Sequence, residues 1–150
     1  MEKDNLSIHD KLFLIYNLAM KLEKEKLSNS QFNDISVNDL HVIHIISLRK
    51  DITISQIAKL MAVSKPALTG NIDKLEKRGY IKRVPSKIDR RVINIALTKK
   101  GRLLCRLHNK AHVNFINLLL EDCNETDKLK LNMTLDRLID QLENKTGDKI

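Results

Sequence analysis

Within residues 53–79 two short apolar stripes are separated by only two residues, Ala62 and Val63, and that spacing leaves the segment few ways to fold. Thr53 is placed to cap a helix whose Ile54, Ile57, Ala58 and Met61 fall on one face. Ser64 is placed to cap a second helix, with Pro66 in its first turn, where a missing N–H is not needed. Leu68, Ile72 and Leu75 form the buried side of that helix, which leaves Lys65, Ala67, Thr69, Gly70, Asn71, Lys74 and Lys77 facing outward. Ala58 is small where the two helices must cross, and Gly79 stands where a helix stop calls for a left-handed residue. Two helices joined by so tight a turn form a helix-turn-helix. That turn usually favours Gly, so Ala62 is a departure from the commonest pattern.

The following segment is basic. Residues 80–84 and 92–97 read as two strands, carrying Ile81 and Val84 in the first and Val92, Ile93, Ile95 and Leu97 in the second, with polar Asn94 among them. Their connection, residues 85–91, holds Ser86, Lys87, Asp89, Arg90 and Arg91, so the hairpin forms a charged wing behind the second helix. The whole chain carries +8, yet residues 64–106 hold thirteen Lys or Arg against Asp73, Glu76 and Asp89, a net +10 that leaves −2 for the rest. A basic block between near-neutral flanks is the electrostatic footprint of a polyanion. A helix-turn-helix followed by a basic hairpin is the order of elements that lays one helix in the major groove of double-stranded DNA.

The flanks are helical in pattern. Four Gly, two Pro and 3% aromatic residues leave little material for a many-stranded β fold, and the expected fold is mainly α with a small β-hairpin wing. Residues 8–27 carry Ile8, Leu12, Ile15, Leu18, Ala19 and Leu22 at helical spacing, widened by Phe13, Leu14 and Tyr16. A polar loop, residues 27–35, precedes Ser36, the expected cap of a helix with Asp39 in its first turn and Val37, Leu40, Ile43, His44 and Leu48 on its apolar side. Thr98 is placed to cap a long helix with Leu103, Leu104, Leu107, Ala111 and Ile116. A last helix opens at Glu125 or Thr126 and carries Leu129, Met133, Leu135, Leu138 and Leu142, with fraying expected from Asn144 onward. These long apolar helices exceed what a winged helix of about 60 residues needs for its own core. The expected organisation is one 150-residue domain with a DNA-binding lobe at 36–98 and a helical dimerisation lobe at 8–28 and 98–143.

No apolar run approaches the roughly 18 residues that span a bilayer, and the first ten residues mix charges, so a cytoplasmic chain with no membrane association is expected. If both Cys105 and Cys123 lie on one helix they are about 27 Å apart, too far for a disulfide. No Gly-rich phosphate loop, nucleophile elbow or acidic pair suited to acid–base work is present, so neither an enzyme nor a bound cofactor is expected.

The run Lys82-Arg83-Val84-Pro85-Ser86-Lys87-Ile88-Asp89-Arg90-Arg91-Val92, continuing into Leu97-Thr98-Lys99-Lys100-Gly101, resembles the MarR family of bacterial winged-helix regulators. The resemblance covers residues 8–142 and implies a homodimer whose two recognition helices enter successive major grooves of a pseudo-palindromic operator while the wings reach the flanking minor grooves. Carried onto this chain, it implies that Ser64, Lys65, Thr69 and Asn71 lie where side chains reach base edges, with Pro66 also among the DNA-binding residues. Lys74 is better placed for phosphates, and Lys87, Arg90 and Arg91 act from the wing, with Arg90 in the minor groove. The family's acidic residue three positions before Asp89 is Ser86 here, which leaves Arg91 to pair with Asp89 or another acid.

Three signals could control such a regulator. The runs 35–41, 86–92 and 97–102 resemble the subgroup that represses fatty-acid-synthesis genes, which implies a long acyl chain on acyl carrier protein as corepressor. His108 and His112, four apart on one helix face, have suitable ligand spacing, to which His41 or Glu23 could be added from another helix, and His41, His108 and His112 are similar to ligand positions in the zinc-sensing branch. Cys105 would serve redox sensing only if a nearby cation or helix N-terminus lowered its pKa. The alternative outside gene regulation is an architectural protein that binds all DNA sequences alike.

Overall fold

A computed structural model of the chain describes residues 5–147. The element order is α1 (Ile8–Ser28), α2 (Val37–Leu48), β1 (Ile52–Thr53), α3 (Ile54–Leu60), α4 (Lys65–Lys77), β2 (Ile81–Pro85), β3 (Ile93–Leu97), α5 (Lys99–Leu119) and α6 (Glu125–Thr146). This is the mainly helical winged-helix architecture that the periodicities call for.

The caps follow the sequence closely. Ser36 Oγ accepts from the Asp39 N–H and the Asp39 carboxylate accepts from the Ser36 N–H, a reciprocal pair that satisfies two donors at the start of α2. Thr53 and Gln56 do the same for α3, and Ser7 and Asp10 for α1. Gly79, at φ 77°, takes the left-handed position just past α4.

Four expectations need correction. The final helix continues past Asn144, where its end is expected, to Thr146 and is capped by Gly147 at φ 69°, while residues 148–150 lie outside the described residues. The loop before Ser36 is not merely polar, because Phe32 and Ile35 are buried, with the Phe32 ring centroid 6.2 Å from that of Tyr80. On α2 the buried set is Asp39, Leu40, Val42, Ile43 and Ile46, whereas Leu48 is 65% exposed; a helix covered on more than one side has no single stripe. Finally, the sheet has three strands. The two residues of β1 pair antiparallel with β3, Ile52 opposite Ile95, giving the order β1-β3-β2 with Ile81 opposite Leu97 and Arg83 opposite Ile95. Buried Asn94 on β3 donates to Asp51 Oδ1 at 3.3 Å, which explains a polar residue inside an apolar strand.

The chain divides into two compact units, one ending at Leu107 and one beginning at His108, so α5 runs across the division. In the first unit the core is formed by Leu40, Val42, Ile43, Ile57, Ile72, Leu75, Tyr80, Ile81 and Ile95, closed by Leu104 and Cys105 from the start of α5. That core lies directly beneath α3 and α4. α1 buries only Leu27, leaving Leu12, Phe13, Ile15, Tyr16 and Leu18 exposed. In the second unit α6 buries no residue at all, and Leu129, Met133, Leu138 and Leu142 are exposed. No helix among the described residues is long and apolar enough to cross a membrane.

Candidate nucleic-acid interface

The turn between α3 and α4 is closed by the Val63 N–H donating to the Ala58 carbonyl at 3.0 Å, and Ala62 sits at φ 53° to make it. Ser64 then caps α4 by accepting from the Ala67 N–H at 3.4 Å. Because Leu68, Ile72 and Leu75 point into the core, Ser64, Lys65, Pro66, Ala67 and Gly70 are exposed and Thr69 and Asn71 are half-buried on the opposite side. The Thr69 hydroxyl donates to the Lys65 carbonyl at 2.8 Å, which leaves its lone pairs free to accept. A groove of about 240 Å³ runs beside this helix, lined by Asn38, Asp39, Val63, Ala67, Asn71 and Lys74.

Lys74 is already engaged. Its Nζ lies 3.0 Å from Asp39 Oδ2, and Asp39 is only 1% exposed. Burial by itself would raise the Asp39 pKa, but the Ser36 N–H, the Lys74 ammonium and the Ser36 hydroxyl outweigh it and hold the carboxyl below its ordinary value. The charge of Lys74 therefore ties α4 to the N-terminus of α2, while its side chain stays 43% exposed.

A second set of basic residues fixes the wing. The Arg83 guanidinium reaches Asp73 Oδ1 at 2.5 Å and also pairs with Glu76, while the Arg83 N–H donates to Glu76 Oε1 at 2.9 Å. These bonds join β2 to α4, and the Asp73 and Glu76 carboxylates keep Arg83 firmly charged. Asp34 gathers another group: it accepts from the Tyr80 hydroxyl at 2.5 Å, its carbonyl accepts from Arg78, and Lys100 Nζ lies 3.7 Å from its carboxylate and 4.0 Å above the Tyr80 ring. At the start of α5 the Thr98 hydroxyl donates to the Gly79 carbonyl at 2.6 Å and accepts from the Gly101 N–H at 3.2 Å. A Cβ on Gly101 would stand 2.2 Å from the Tyr80 carbonyl oxygen, so this close approach of α5 requires glycine.

What remains of the +10 is directed at solvent. Lys65, Lys77, Lys82, Lys87, Arg90, Arg91, Lys99 and Arg106 are exposed and form no ion pair among the described residues. The wing tip carries Lys87, Arg90 and Arg91 on a loop held by its own hydrogen bonds: Ser86 N–H to Val92 carbonyl at 2.8 Å, Val92 N–H to Asp89 carbonyl at 2.9 Å, and Ile88 N–H to Ser86 Oγ at 3.2 Å. Arg91 meets Asp89 through its backbone N–H, at 2.9 Å, so its guanidinium stays available. The Ser86 hydroxyl thus steadies the tip.

The effector candidates are placed as follows. His41 Nε2 on α2 is 3.6 Å from Glu23 Oε2 on α1. In the second unit, the His108 and His112 rings have centroids 4.1 Å apart. Both cysteines are free; Cys105 is buried with its sulfur 3.7 Å from the Ile43 carbonyl oxygen, and burial pushes its thiol pKa up, opposite to what a reactive thiol needs. The Arg83 clamp and the Asp34 cluster are features that the sequence reading missed. Asp73 and Glu76, three apart on α4 and so on one face, were the available signal for the first.

The MarR family profile matches residues 35–93. The regulator PecS of Dickeya dadantii is 33% identical over 90 residues, 60% of this chain and 54% of PecS, so the match spans about half of that relative's length. SarZ of Staphylococcus saprophyticus is 30% identical over 101 residues, 67% of this chain and 69% of SarZ. The crystal structure of Streptococcus pneumoniae FabT in complex with DNA superposes with a TM-score of 0.84 at 36% identity, covering 91% of this chain and 96% of that one. Identity, coverage and the winged-helix geometry agree: the chain belongs to the MarR family of transcriptional regulators.

Proposed function

We infer that this chain acts as a homodimeric, ligand-responsive repressor that covers promoter DNA in the cytoplasm. The observation that carries the reading is the pattern of spent and unspent charge. Lys74, Arg78, Arg83 and Lys100 hold the winged helix together, while Lys65 at the start of α4 and Lys87, Arg90 and Arg91 on the wing are left for an external polyanion. In this reading Ser64, Lys65, Pro66, Thr69 and Asn71 meet base edges and the adjoining backbone in the major groove of a pseudo-palindromic operator, and Arg90 enters the flanking minor groove. Lys74 orients α4 for that task through Asp39 and adds little charge of its own. The exposed apolar residues of α1 and α6 support dimerisation, because a monomer would leave large apolar surface in water.

The fatty-acid reading, with acyl-acyl carrier protein as corepressor, rests on the runs 35–41, 86–92 and 97–102 and on the 36% identity to FabT. A zinc-responsive reading draws on the proximity of His108 and His112 and on His41. Binding of labelled palindromic duplexes across a salt series tests the DNA role. Sequence preference and weakening by Arg90→Ala are expected; equal affinity for all sequences would point to an architectural protein instead. Metal analysis of purified protein separates the effectors, since stoichiometric zinc overturns the acyl reading and acyl-carrier-dependent tightening on DNA overturns the metal one.

A further inference from the structure

At the tip of the wing Ile88 is 99% exposed, more than any other large apolar residue among those described. Its backbone is fixed, because its N–H donates to Ser86 Oγ and the neighbouring turn is closed by the Ser86–Val92 and Val92–Asp89 bonds. Its side chain touches nothing in the fold. Lys87 lies on one side in sequence and Asp89, Arg90 and Arg91 on the other, so this is a lone branched aliphatic group held out on an otherwise ionic loop.

That combination suits one kind of contact. A β-branched side chain is stiff and loses little rotamer freedom when it is buried. Cations around it carry the loop to a polyanion, whose grooves are walled by deoxyribose carbons. We propose that Ile88 is a specificity-determining residue that packs onto the floor of the minor groove and selects A·T over G·C pairs beneath the wing. The chemistry follows from the bases. The minor-groove edge of A·T presents only acceptors and leaves space at the floor, whereas G·C adds the guanine N2 amino group, which fills that space and would lose its water to a methyl group that offers no hydrogen bond. Apolar side chains, isoleucine among them, do enter the minor groove in other DNA-binding proteins, where they contact the base steps directly.

The inference rests on the DNA-binding reading above, and its test separates the two. The full chain and its Ile88→Ser variant are each used to select duplexes from a randomised library, and the pairs under the wing are then changed to G·C and to inosine·C in the duplex selected by the wild type. Inosine lacks only the N2 amino group. For the wild type, G·C is expected to weaken binding about tenfold, equivalent to about 1.4 kcal/mol, and inosine·C to restore it. For Ile88→Ser the three duplexes are expected to bind alike, with the salt dependence and the preference of the central positions retained, since no charge is altered and no folded contact is lost. Failure of the wild type to select any duplex overturns the DNA-binding reading and this inference together. A wild type that selects duplexes but tolerates G·C, or an Ile88→Ser variant that keeps the discrimination, overturns this inference alone.

Discussion

Removal of the Asp39 carboxylate should unsettle the recognition helix without altering any residue of that helix. Asp39 completes the cap of α2 and binds Lys74 of α4, so Asp39→Ala removes both an N-terminal cap interaction and a charge-assisted bond. The first contributes about 1 kcal/mol and the second about 1.5–3 kcal/mol in a buried setting. The Lys74 side chain is 43% exposed, so its ammonium can return to water and escape the full penalty of a stranded buried charge, which places the total near 2–3 kcal/mol. For a chain of this size that corresponds to a fall in Tm of roughly 4–12 °C. Asp39→Asn keeps an acceptor for the Ser36 N–H and should cost about half as much.

The pH dependence separates charge from shape. The Asp39 carboxyl titrates below its ordinary value in the folded chain, so its stabilisation is fully present above the unfolded value of about 3.9 and is lost as pH falls through the folded one. Urea unfolding followed by circular dichroism should therefore give an Asp39→Asn deficit that is constant from pH 7 to about pH 5 and shrinks below pH 4. A deficit that does not change with pH, or an Asp39→Ala variant within about 0.5 kcal/mol of wild type, would refute the ion-pair argument.

Three further outcomes are expected. Gly101→Ala forces a Cβ to within 2.2 Å of the Tyr80 carbonyl and should destabilise the fold by about 1–3 kcal/mol or more in thermal melts. Ala62→Gly relieves a left-handed alanine, and because glycine also loses more freedom on folding, the net gain should be no more than about 1 kcal/mol. Lys74→Gln should leave the slope of log affinity against log salt nearly unchanged, whereas neutralising Lys65 should reduce it by about 0.9 for each subunit that contacts a phosphate.

The caps, the tight turn and the wing were legible because each depends on residues a few positions apart. Ser36 with Asp39, Thr53 with Gln56, and Gly79 past α4 act through local hydrogen bonds and backbone conformation that sequence spacing encodes directly. β1 escaped notice because two residues have no periodicity, and Ile52 becomes a strand only by pairing with Ile95, far along the chain. The α2 stripe misled for a related reason: Val42 and Ile46 are buried by neighbours from other elements, not by one face.

The candidate site divides along the same line. Sequence by itself determined that a net +10 gathers around a helix-turn-helix and a hairpin, since charge and local periodicity are additive along the chain. Which of those cations are spent was decided only in three dimensions. Lys74 looks outward on a helical wheel, yet its long side chain reaches Asp39, 35 residues away, and Arg83 turns back onto Asp73 and Glu76. Ion pairing depends on distances of a few ångströms between distant segments, so it is invisible to spacing and is fixed by the packing of α2, α4 and the sheet.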